Sequence, residues 1–328
     1  MAEQKILVTG GTGFIGGHLC ERLAREGYSV RALVRDPRRS AELRQWGVEI
    51  AVGDLRDLKT LERAAEGVDI VYHIAALFRR QSATRQEMWD TNAEGTKNML
   101  EAAMRAGVHR FVHCSTAGVH GDIKNPPANE DTPYSPIKDE QSKIEAERAV
   151  FRYMTERRLP VSLFRPSGAY GPRDLRFLKL FKAINRRLFV MVGSGETFCH
   201  LVYIDDLIEG ILLCGTKQTA IGNAYILAGD EPVTLNQLAN LVAEVLGVRP
   251  PRLRVPFAPV YLAGLVCAAI CKPLGLQPPL SRRRVNFFRV SKAFDISKAK
   301  RELGFNPKID LETGLRLTAH WYRENGYL

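Results

Sequence analysis

The chain has 328 residues, of which 45% are hydrophobic and 25% are charged. These proportions match soluble globular proteins and exclude a collagen-like, coiled-coil or disordered chain, and the length allows two domains or one large α/β unit with an added lobe. Lys and Arg (47) outnumber Asp and Glu (36), and the formal net charge of +11 favours anionic partners such as phosphates, acidic membrane surfaces or nucleic acid.

Apolar runs and helix-period stretches alternate through the first 120 residues. The runs predict strands at residues 6–8, 30–34, 70–74 and 111–114, with amphipathic helices at 18–26 and 91–106. Continuous apolar strands separated by helices indicate a parallel sheet covered on both faces. The fold class is therefore predicted to be α/β, with a doubly wound parallel sheet of the Rossmann type.

A glycine-rich turn follows the first strand, and a helical pattern starts at once after it. Its glycines permit a tight turn, a close approach of the backbone to a pyrophosphate and close contact between helix and strand. The helix N-terminus offers free N–H groups to phosphate oxygens. We predict a dinucleotide bound by residues of this turn: Gly10, Thr12, Gly13, Phe14, Ile15 and Gly16.

The end of the second strand bears on the choice between the two pyridine nucleotides. A carboxylate there binds the ribose 2′-hydroxyl of NAD, whereas an arginine accommodates the 2′-phosphate of NADP. Arg35 stands at the strand end, with Arg38 and Arg39 after it, so NADP is slightly favoured. Asp36 leaves NAD possible as the cofactor, because its carboxylate could bind the ribose 2′-hydroxyl.

Two further strands are predicted at 161–164 and 224–227, whereas 172–195 and 230–328 carry more helix, proline and basic residues. We therefore predict a Rossmann domain made of residues 1–171 and 202–229. The remaining residues, 172–201 and 230–328, are predicted to form a smaller, mostly helical substrate lobe.

One stretch of this lobe, residues 255–271, contains no charge and precedes Lys272 and Arg282-Arg283-Arg284. Pro256, Pro259 and Gly264 argue against a membrane-spanning helix. One interpretation is a helix packed on the lobe. The other is a helix on a membrane surface, with peripheral contact through 255–284.

The six cysteines are scattered, without a CxxC pair or Cys/His ligand spacing, so no metal site is predicted and the thiols are expected to be reduced. The N-terminus lacks the apolar region of a signal peptide. We expect a cytoplasmic protein, with membrane association as the open alternative.

Motifs along the whole chain resemble the extended short-chain dehydrogenase/reductase family, also called the NAD-dependent epimerases/dehydratases. Besides the glycine turn, they are Gly53-Asp54-Leu55, His73-Ile74-Ala75-Ala76, Asn92-Ala93-Glu94-Gly95-Thr96, Ser115-Thr116, Ser142-Lys143, Arg165-Pro166-Ser167-Gly168-Ala169-Tyr170-Gly171-Pro172, Tyr203-Ile204-Asp205-Asp206 and the tail at 294–304.

The resemblance implies a role for each matching residue. Asp54 and Leu55 would contact the adenine, and Ala75 and Ala76 would line the dinucleotide path. Near the nicotinamide, Lys143 would hold the ribose and Pro166 would border the ring. Thr116, preceded by Ser115, aligns with the catalytic Ser/Thr that hydrogen-bonds the reacting oxygen. The resemblance also implies a homodimer through the long helices beginning near Asn92 and Ser142.

The family's catalytic tyrosine, four residues before the lysine, is replaced here by Asp139. A phenol has a pKa of about 10, whereas Asp starts near 3.9 and Lys143 would lower its pKa further. Asp139 should therefore be an anion and a poor acid, and it is shorter than tyrosine. Tyr134 and His120, which replaces the tyrosine of the family's Val-Tyr-Gly segment, are the other candidate proton donors.

The substrate class is narrowed by Cys199, which stands where nucleotide-sugar members carry an arginine for the diphosphate. A thiol cannot replace a bidentate guanidinium. With the apolar 255–271 stretch, the pattern is more similar to 3β-hydroxysteroid dehydrogenases, dihydroflavonol-type reductases and hopanoid-associated epimerase-like proteins. This implies a small-molecule substrate with a hydroxyl or keto group, steroid-like, terpenoid-like or a sugar.

Three functions are consistent with these residues. The first is an NAD(P)-dependent oxidoreductase or epimerase with an atypical proton donor. The second is an NAD(P)-binding protein that has lost redox catalysis with the tyrosine. The third is a non-redox lyase or isomerase that uses Asp139 as a base. Nucleic-acid binding is not expected, because the basic residues show no aromatic interleaving or recognised motif.

Overall fold

The computed structural model describes residues 4–77, 83–135, 140–271 and 285–328, so Asp139 lies outside the described residues. The strands are β1 (Lys5–Thr9), β2 (Ser29–Val34), β3 (Glu49–Val52), β4 (Ile70–His73), β5 (Arg110–Cys114), β6 (Val161–Pro166), β7 (Gly168–Tyr170), β8 (Met191–Val192), β9 (Phe198–Cys199), β10 (Leu201–Tyr203), β11 (Ala224–Leu227), β12 (Val233–Thr234) and β13 (Arg254–Val255).

The helices are α1 (Phe14–Arg25), α2 (Ala41–Gln45), α3 (Leu58–Ala65), α4 (Arg85–Trp89), α5 (Gly95–Ala106), α6 (Gln141–Arg157), α7 (Leu178–Asn185), α8 (Ile204–Thr216), α9 (Leu235–Leu246), α10 (Phe257–Cys271), α11 (Ser297–Leu303) and α12 (Leu311–Glu324). A π-helical turn at Asp90–Glu94 joins α4 to α5, and 3₁₀ turns lie at Pro37–Arg39, Ala117–His120 and Gln218–Ala220.

Seven strands form one parallel sheet in the order β11-β6-β5-β4-β1-β2-β3. The predicted α/β doubly wound sheet is therefore confirmed. The strand order reverses at β1, which pairs with β2 on one side and β4 on the other. Such a switch point opens a crevice at the carboxyl ends of the strands, where ligands bind in this type of sheet.

Helices cover both faces of this sheet, because side chains along each strand alternate between them. Leu7 faces α3, α5 and α6, in a core that includes Phe111 and Leu163. Ile6 and Val8 face the opposite way, toward α1 and α8. The continuous apolar runs of the sequence thus correspond to strands buried on both sides.

The second half of the chain adds a smaller, largely helical region, as predicted. Two short strand pairs lie in it: β9 with β12, antiparallel, and β8 with β13, parallel. Helix α9 packs against α7 and α12. The exact division at residues 172, 202 and 230 stays a prediction.

The chain after α10 returns to the sheet domain. Ala128 N–H donates to Ala293 O at 2.9 Å, and Asp295 N–H donates to Ala128 O at 2.8 Å, which forms a parallel bridge between Ala128 and Phe294. The neighbouring Glu130 carboxylate accepts the N–H of Ile226 on β11 at 2.8 Å. The segment 128–134 is therefore held between β11 and residues 293–295.

Helix α10 occupies most of the uncharged stretch predicted at 255–271. Leu262, Val266 and Ile270 on this helix are about 60% exposed, and Leu265 is 41% exposed. Among the helices of the described ranges, none combines the length and apolarity required to cross a bilayer.

Candidate nucleotide-binding and catalytic site

The glycine-rich turn packs too tightly for side chains at two of its glycines. Gly10 has a φ of +79°, and a Cβ there would lie 2.8 Å from Ala75 N. A Cβ on Gly16 would lie 2.3 Å from Gly10 O. Helix α1 begins at Phe14 and has no side-chain cap at Gly13, which leaves its first N–H groups available.

This arrangement fits an adenine dinucleotide. The N-terminus of α1 faces the carboxyl end of β1 at the switch point, and both Thr12 and Gly13 are exposed. Backbone N–H groups and the helix dipole together favour a pyrophosphate at such a position. Phe14 and Ile15 are partly buried at the start of α1.

A hydrogen-bonded chain holds the backbone after β4 against the glycine turn. The hydroxyl oxygen of Thr9 accepts the N–H of Ala75 at 3.1 Å and lies 2.9 Å from His73 Nδ1. On the other side of the ring, His73 Nε2 lies 3.0 Å from Thr96 Oγ1. Burial lowers the pKa of His73 to about 3, so this ring is neutral.

Asn92 fixes the next part of the same path. Its side-chain oxygen accepts Leu77 N–H at 2.7 Å, and its amide donates to Leu77 O at 3.1 Å and to Ser142 Oγ at 3.2 Å. The segment with Ala75 and Ala76 is thus tied to the start of α6. The sequence did not predict this role for Asn92, because its partners lie 15 and 50 residues away.

The predicted adenine end is rich in arginine. Both oxygens of Asp54 are bound by Arg56, at 2.9 and 2.8 Å, and these hydrogen bonds lower the pKa of Asp54. Leu55 O accepts from Asn98 at 2.9 Å. Arg35 is exposed at the end of β2.

Asp36, the carboxylate that left NAD possible as the cofactor, is also paired with an arginine. Arg38 donates to its two oxygens at 2.9 and 3.0 Å, and this hydrogen bonding lowers the pKa of Asp36. The carboxylate caps the 3₁₀ turn at Pro37–Arg39 as well.

Lys143 and Thr116 lie at the carboxyl end of β5. Lys143 Nζ donates to Cys114 O at 3.1 Å, and burial lowers the pKa of this amine. Thr116 is partly exposed, and its hydroxyl oxygen accepts Gly118 N–H at 3.0 Å, which leaves the hydroxyl proton to donate. Ser115 is buried, and its hydroxyl has no hydrogen-bonding partner within the described ranges.

Tyr134, one of the predicted proton donors, is attached to a buried ion pair. Arg165, on β6, binds both carboxylate oxygens of Glu147, on α6, at 2.6 to 3.2 Å. The Tyr134 hydroxyl donates to Glu147 Oε2 at 2.7 Å, and the guanidinium lies 5.5 Å from the ring centre. Burial and Glu147 raise the pKa of Tyr134 to about 12.

His120 contacts the same arginine, with Nε2 at 3.4 Å from Arg165 Nη1. Burial and the guanidinium charge lower the pKa of His120, so the ring is an acceptor here. Neither candidate is poised as an acid in this state, and their catalytic role stays a prediction. Pro166 follows Arg165 at the buried end of β6.

Cys199, the residue predicted to weaken the binding of a sugar diphosphate, is buried. Cys199 lies in β9 opposite Val233, and burial raises the pKa of its thiol to about 12. Next to it, His200 Nε2 lies 2.8 Å from Gly229 O, and Nδ1 accepts Phe294 N–H at 3.2 Å.

Similarity to known proteins is consistent with a dinucleotide site at the glycine-rich turn. Residues 6–228 match the model of the NAD dependent epimerase/dehydratase family. The chain belongs to this family. The prediction of a pyridine-nucleotide cofactor is therefore confirmed, whereas the choice between NAD and NADP stays a prediction.

Relatives of this epimerase/dehydratase chain cover nearly its whole length. It is 32% identical to "Sterol demethylase protein B" of Methylococcus capsulatus, over 98% of this chain and 99% of the relative. It is 30% identical to "3 beta-hydroxysteroid dehydrogenase/Delta 5-->4-isomerase" of Mycobacterium tuberculosis, over 97% and 90%.

A solved structure gives the same fold with cofactor bound. It is the dTDP-glucose 4,6-dehydratase of Streptomyces venezuelae with NAD and TYD bound, with 28% identity, a TM-score of 0.77 and 98% coverage of both chains.

The buried Arg165–Glu147 pair generates a stability prediction. Glu147→Gln should lower the free energy of unfolding by about 3 to 5 kcal/mol, because it leaves the guanidinium charge unpaired in the interior. Chemical denaturation measures the change. The matched control on the same helix is Glu145→Gln, which removes a more exposed carboxylate and should cost about 0 to 1 kcal/mol. Equal effects of the two variants would contradict the prediction.

Proposed function

We propose that this epimerase/dehydratase family member is an NAD(P)-dependent oxidoreductase or epimerase acting on the hydroxyl or keto group of a lipophilic, steroid-like or terpenoid-like molecule. The observation that carries the chemistry is the grouping of Lys143 and Thr116 at the end of β5, beside a glycine turn that fits the dinucleotide. When bound, the cofactor supplies hydride transfer at its nicotinamide ring.

The chain's own residues bind and orient in this proposal. Lys143, held by Cys114 O, presents a cation to the nicotinamide ribose. Thr116 donates its hydroxyl proton to the reacting substrate oxygen, and Pro166 borders the ring. Thr12, Gly13 and the start of α1 bind the pyrophosphate.

The lipophilic substrate class rests on three observations. The relatives named above carry the words sterol and hydroxysteroid. The position of Cys199 offers a buried thiol instead of a cation for a diphosphate. The lobe exposes the apolar side chains of α10. A sugar substrate is the second candidate, favoured by the fold shared with the dTDP-glucose 4,6-dehydratase.

Isotope transfer tests the reaction class. With reduced cofactor deuterated at nicotinamide C4, we expect deuterium in the alcohol formed from a 3-ketosteroid, and little in products of a nucleotide keto-sugar. Lys143→Met should lower turnover at least about 10-fold, since one charged contact is worth roughly 1.5 to 3 kcal/mol. The exposed Lys179, on α7, gives the control variant Lys179→Met.

Two outcomes would favour the other functions. Tight cofactor binding without transfer to any ketone would leave a binding protein that lacks redox catalysis. Product formation without deuterium transfer would identify a non-redox lyase or isomerase.

NADP is the cofactor we propose in preference to NAD. The two carboxylates at the adenine end, Asp36 and Asp54, are each paired with an arginine, Arg38 and Arg56. Arg35 is exposed, and its charge lowers the pKa of Asp54 in addition to Arg56. This distribution favours a ligand with an extra phosphate.

Arg35→Ala should weaken NADPH binding about 10-fold and change NADH binding less than about 2-fold, because only the 2′-phosphate would lose a charged contact. Fluorescence titration with each nucleotide measures this. The control is Arg25→Ala, which removes an exposed arginine paired with Glu21 on α1. Equal weakening of NADPH and NADH binding would show that Arg35 does not bind the 2′-phosphate.

We also propose peripheral contact between α10 and an anionic membrane surface. Leu262, Leu265, Val266 and Ile270 form its exposed apolar surface, and no residue of α10 is charged. Arg254 lies three residues before the start of α10, and Arg289 lies 5.9 Å from the ring centre of Phe257, the first residue of the helix. Apolar insertion beside basic residues is typical of interfacial helices.

A homodimer through α5 and α6 remains an expectation of the proposal.

Vesicle flotation tests the membrane contact. The chain should float with vesicles containing phosphatidylglycerol and less with pure phosphatidylcholine, since each basic residue near an anionic surface adds about 1 kcal/mol. Leu262→Gln combined with Val266→Gln should abolish flotation. Leu188, 71% exposed outside α10, provides the control Leu188→Gln. Flotation of the double variant at the native level would refute the assignment to α10.

A further inference from the structure

The Glu140 carboxylate and the Thr116 hydroxyl both lie close to Gly118, on the 3₁₀ turn after β5. Glu140 is partly buried and directly precedes α6, with φ −102° and ψ 0°. A Cβ on Gly118 would lie 3.1 Å from Thr116 Oγ1 and 3.6 Å from Glu140 Oε1. The hydroxyl and the carboxylate therefore flank the same point on the 3₁₀ turn that follows β5.

Glu140 also faces Lys143, three residues further along the chain. Residues at this spacing lie on the same side of a helix. Burial lowers the pKa of Lys143, and the neighbouring Cys114 and Glu140 oppose this change. The negative charge of Glu140 therefore favours the protonated form of Lys143.

We propose that Glu140 is a catalytic residue that accepts the proton of the substrate hydroxyl when an alcohol is oxidised. This inference rests on the proposed function and names its base. The hydroxyl proton passes to a Glu140 oxygen, the C–O bond becomes a carbonyl, and the hydrogen on carbon leaves with its electron pair to an oxidised pyridine nucleotide. In the reverse direction, protonated Glu140 returns the proton to the forming alcohol.

The other groups near this end of the sheet are engaged elsewhere. The Tyr134 hydroxyl donates to Glu147, and His120 faces the Arg165 guanidinium. A carboxyl group has a pKa of about 4.3 in solution and is ionised at neutral pH, whereas a phenol with a pKa of about 10 is protonated. A carboxylate therefore suits the removal of a proton, and the chemistry favours alcohol oxidation as the working direction.

This assignment fixes the sign of the pH dependence. A carboxylate base is active only when deprotonated, so the rate of oxidation should fall at low pH. A phenol as base would instead give a rate that continues to rise toward pH 10.

The decisive experiment compares Glu140→Gln, Glu140→Asp, Asp139→Asn and the control Glu145→Gln in steroid alcohol oxidation. We expect Glu140→Gln to lower kcat about 100-fold or more, to change KM only a few-fold and to remove the acidic limb of the profile. Glu140→Asp should keep that limb with a reduced rate. NADPH binding should be unchanged in the control Glu145→Gln.

A readout independent of turnover comes from glutamate labelled with ¹³C at the side-chain carboxyl. The resonance that is absent in Glu140→Gln should shift when a 3-ketosteroid is added to the native protein loaded with cofactor. A resonance that does not move overturns the inference, whether or not the native protein turns over.

Two further results separate this inference from the proposed function. Native hydride transfer together with an unchanged rate and pH profile in Glu140→Gln overturns the role of Glu140 alone. Loss of the acidic limb in Asp139→Asn instead would assign the base to Asp139. Absence of hydride transfer in the native protein overturns the proposed function itself.

Discussion

The close approach of Gly10 to Ala75 is the constraint on which the site depends. No side chain fits between the turn after β1 and the chain leaving β4, and the Thr9 hydroxyl fixes this approach through Ala75 and His73. Because both ring nitrogens of His73 have partners, the neutral imidazole leaves no polar ring atom unsatisfied in the core. The carboxyl ends of β1 and β4 are thereby held together beside the free N–H groups of α1.

Much of the fold could be predicted because its signals are local. Buried parallel strands appear as apolar runs, and the glycine turn can be recognised because backbone packing requires glycine at fixed spacings. Strand β3 was missed, since it lies at the sheet edge, has four residues and includes the exposed Glu49 and Val52. The edge position removes the apolar pattern that identified its neighbours.

Less of the candidate site could be predicted from the sequence. Comparison with the family's tyrosine drew attention to Asp139, but not to Glu140, whose described carboxylate lies close to Gly118 together with the Thr116 hydroxyl. Tyr134 was selected for its chemistry, but its partner Glu147 is 13 residues away and Arg165 is 31 residues away. Such a network depends on how α6 docks on β6, which no local pattern encodes.

The bridge between Ala128 and Phe294 has a consequence for biosynthesis. All seven strands of the sheet have left the ribosome once residue 227 has emerged, but the segment that carries Tyr134 gains its partners at 293–295 only later. A nascent chain can thus acquire its nucleotide crevice well before its substrate side is complete. Cofactor capture would then precede maturation of the catalytic end during translation.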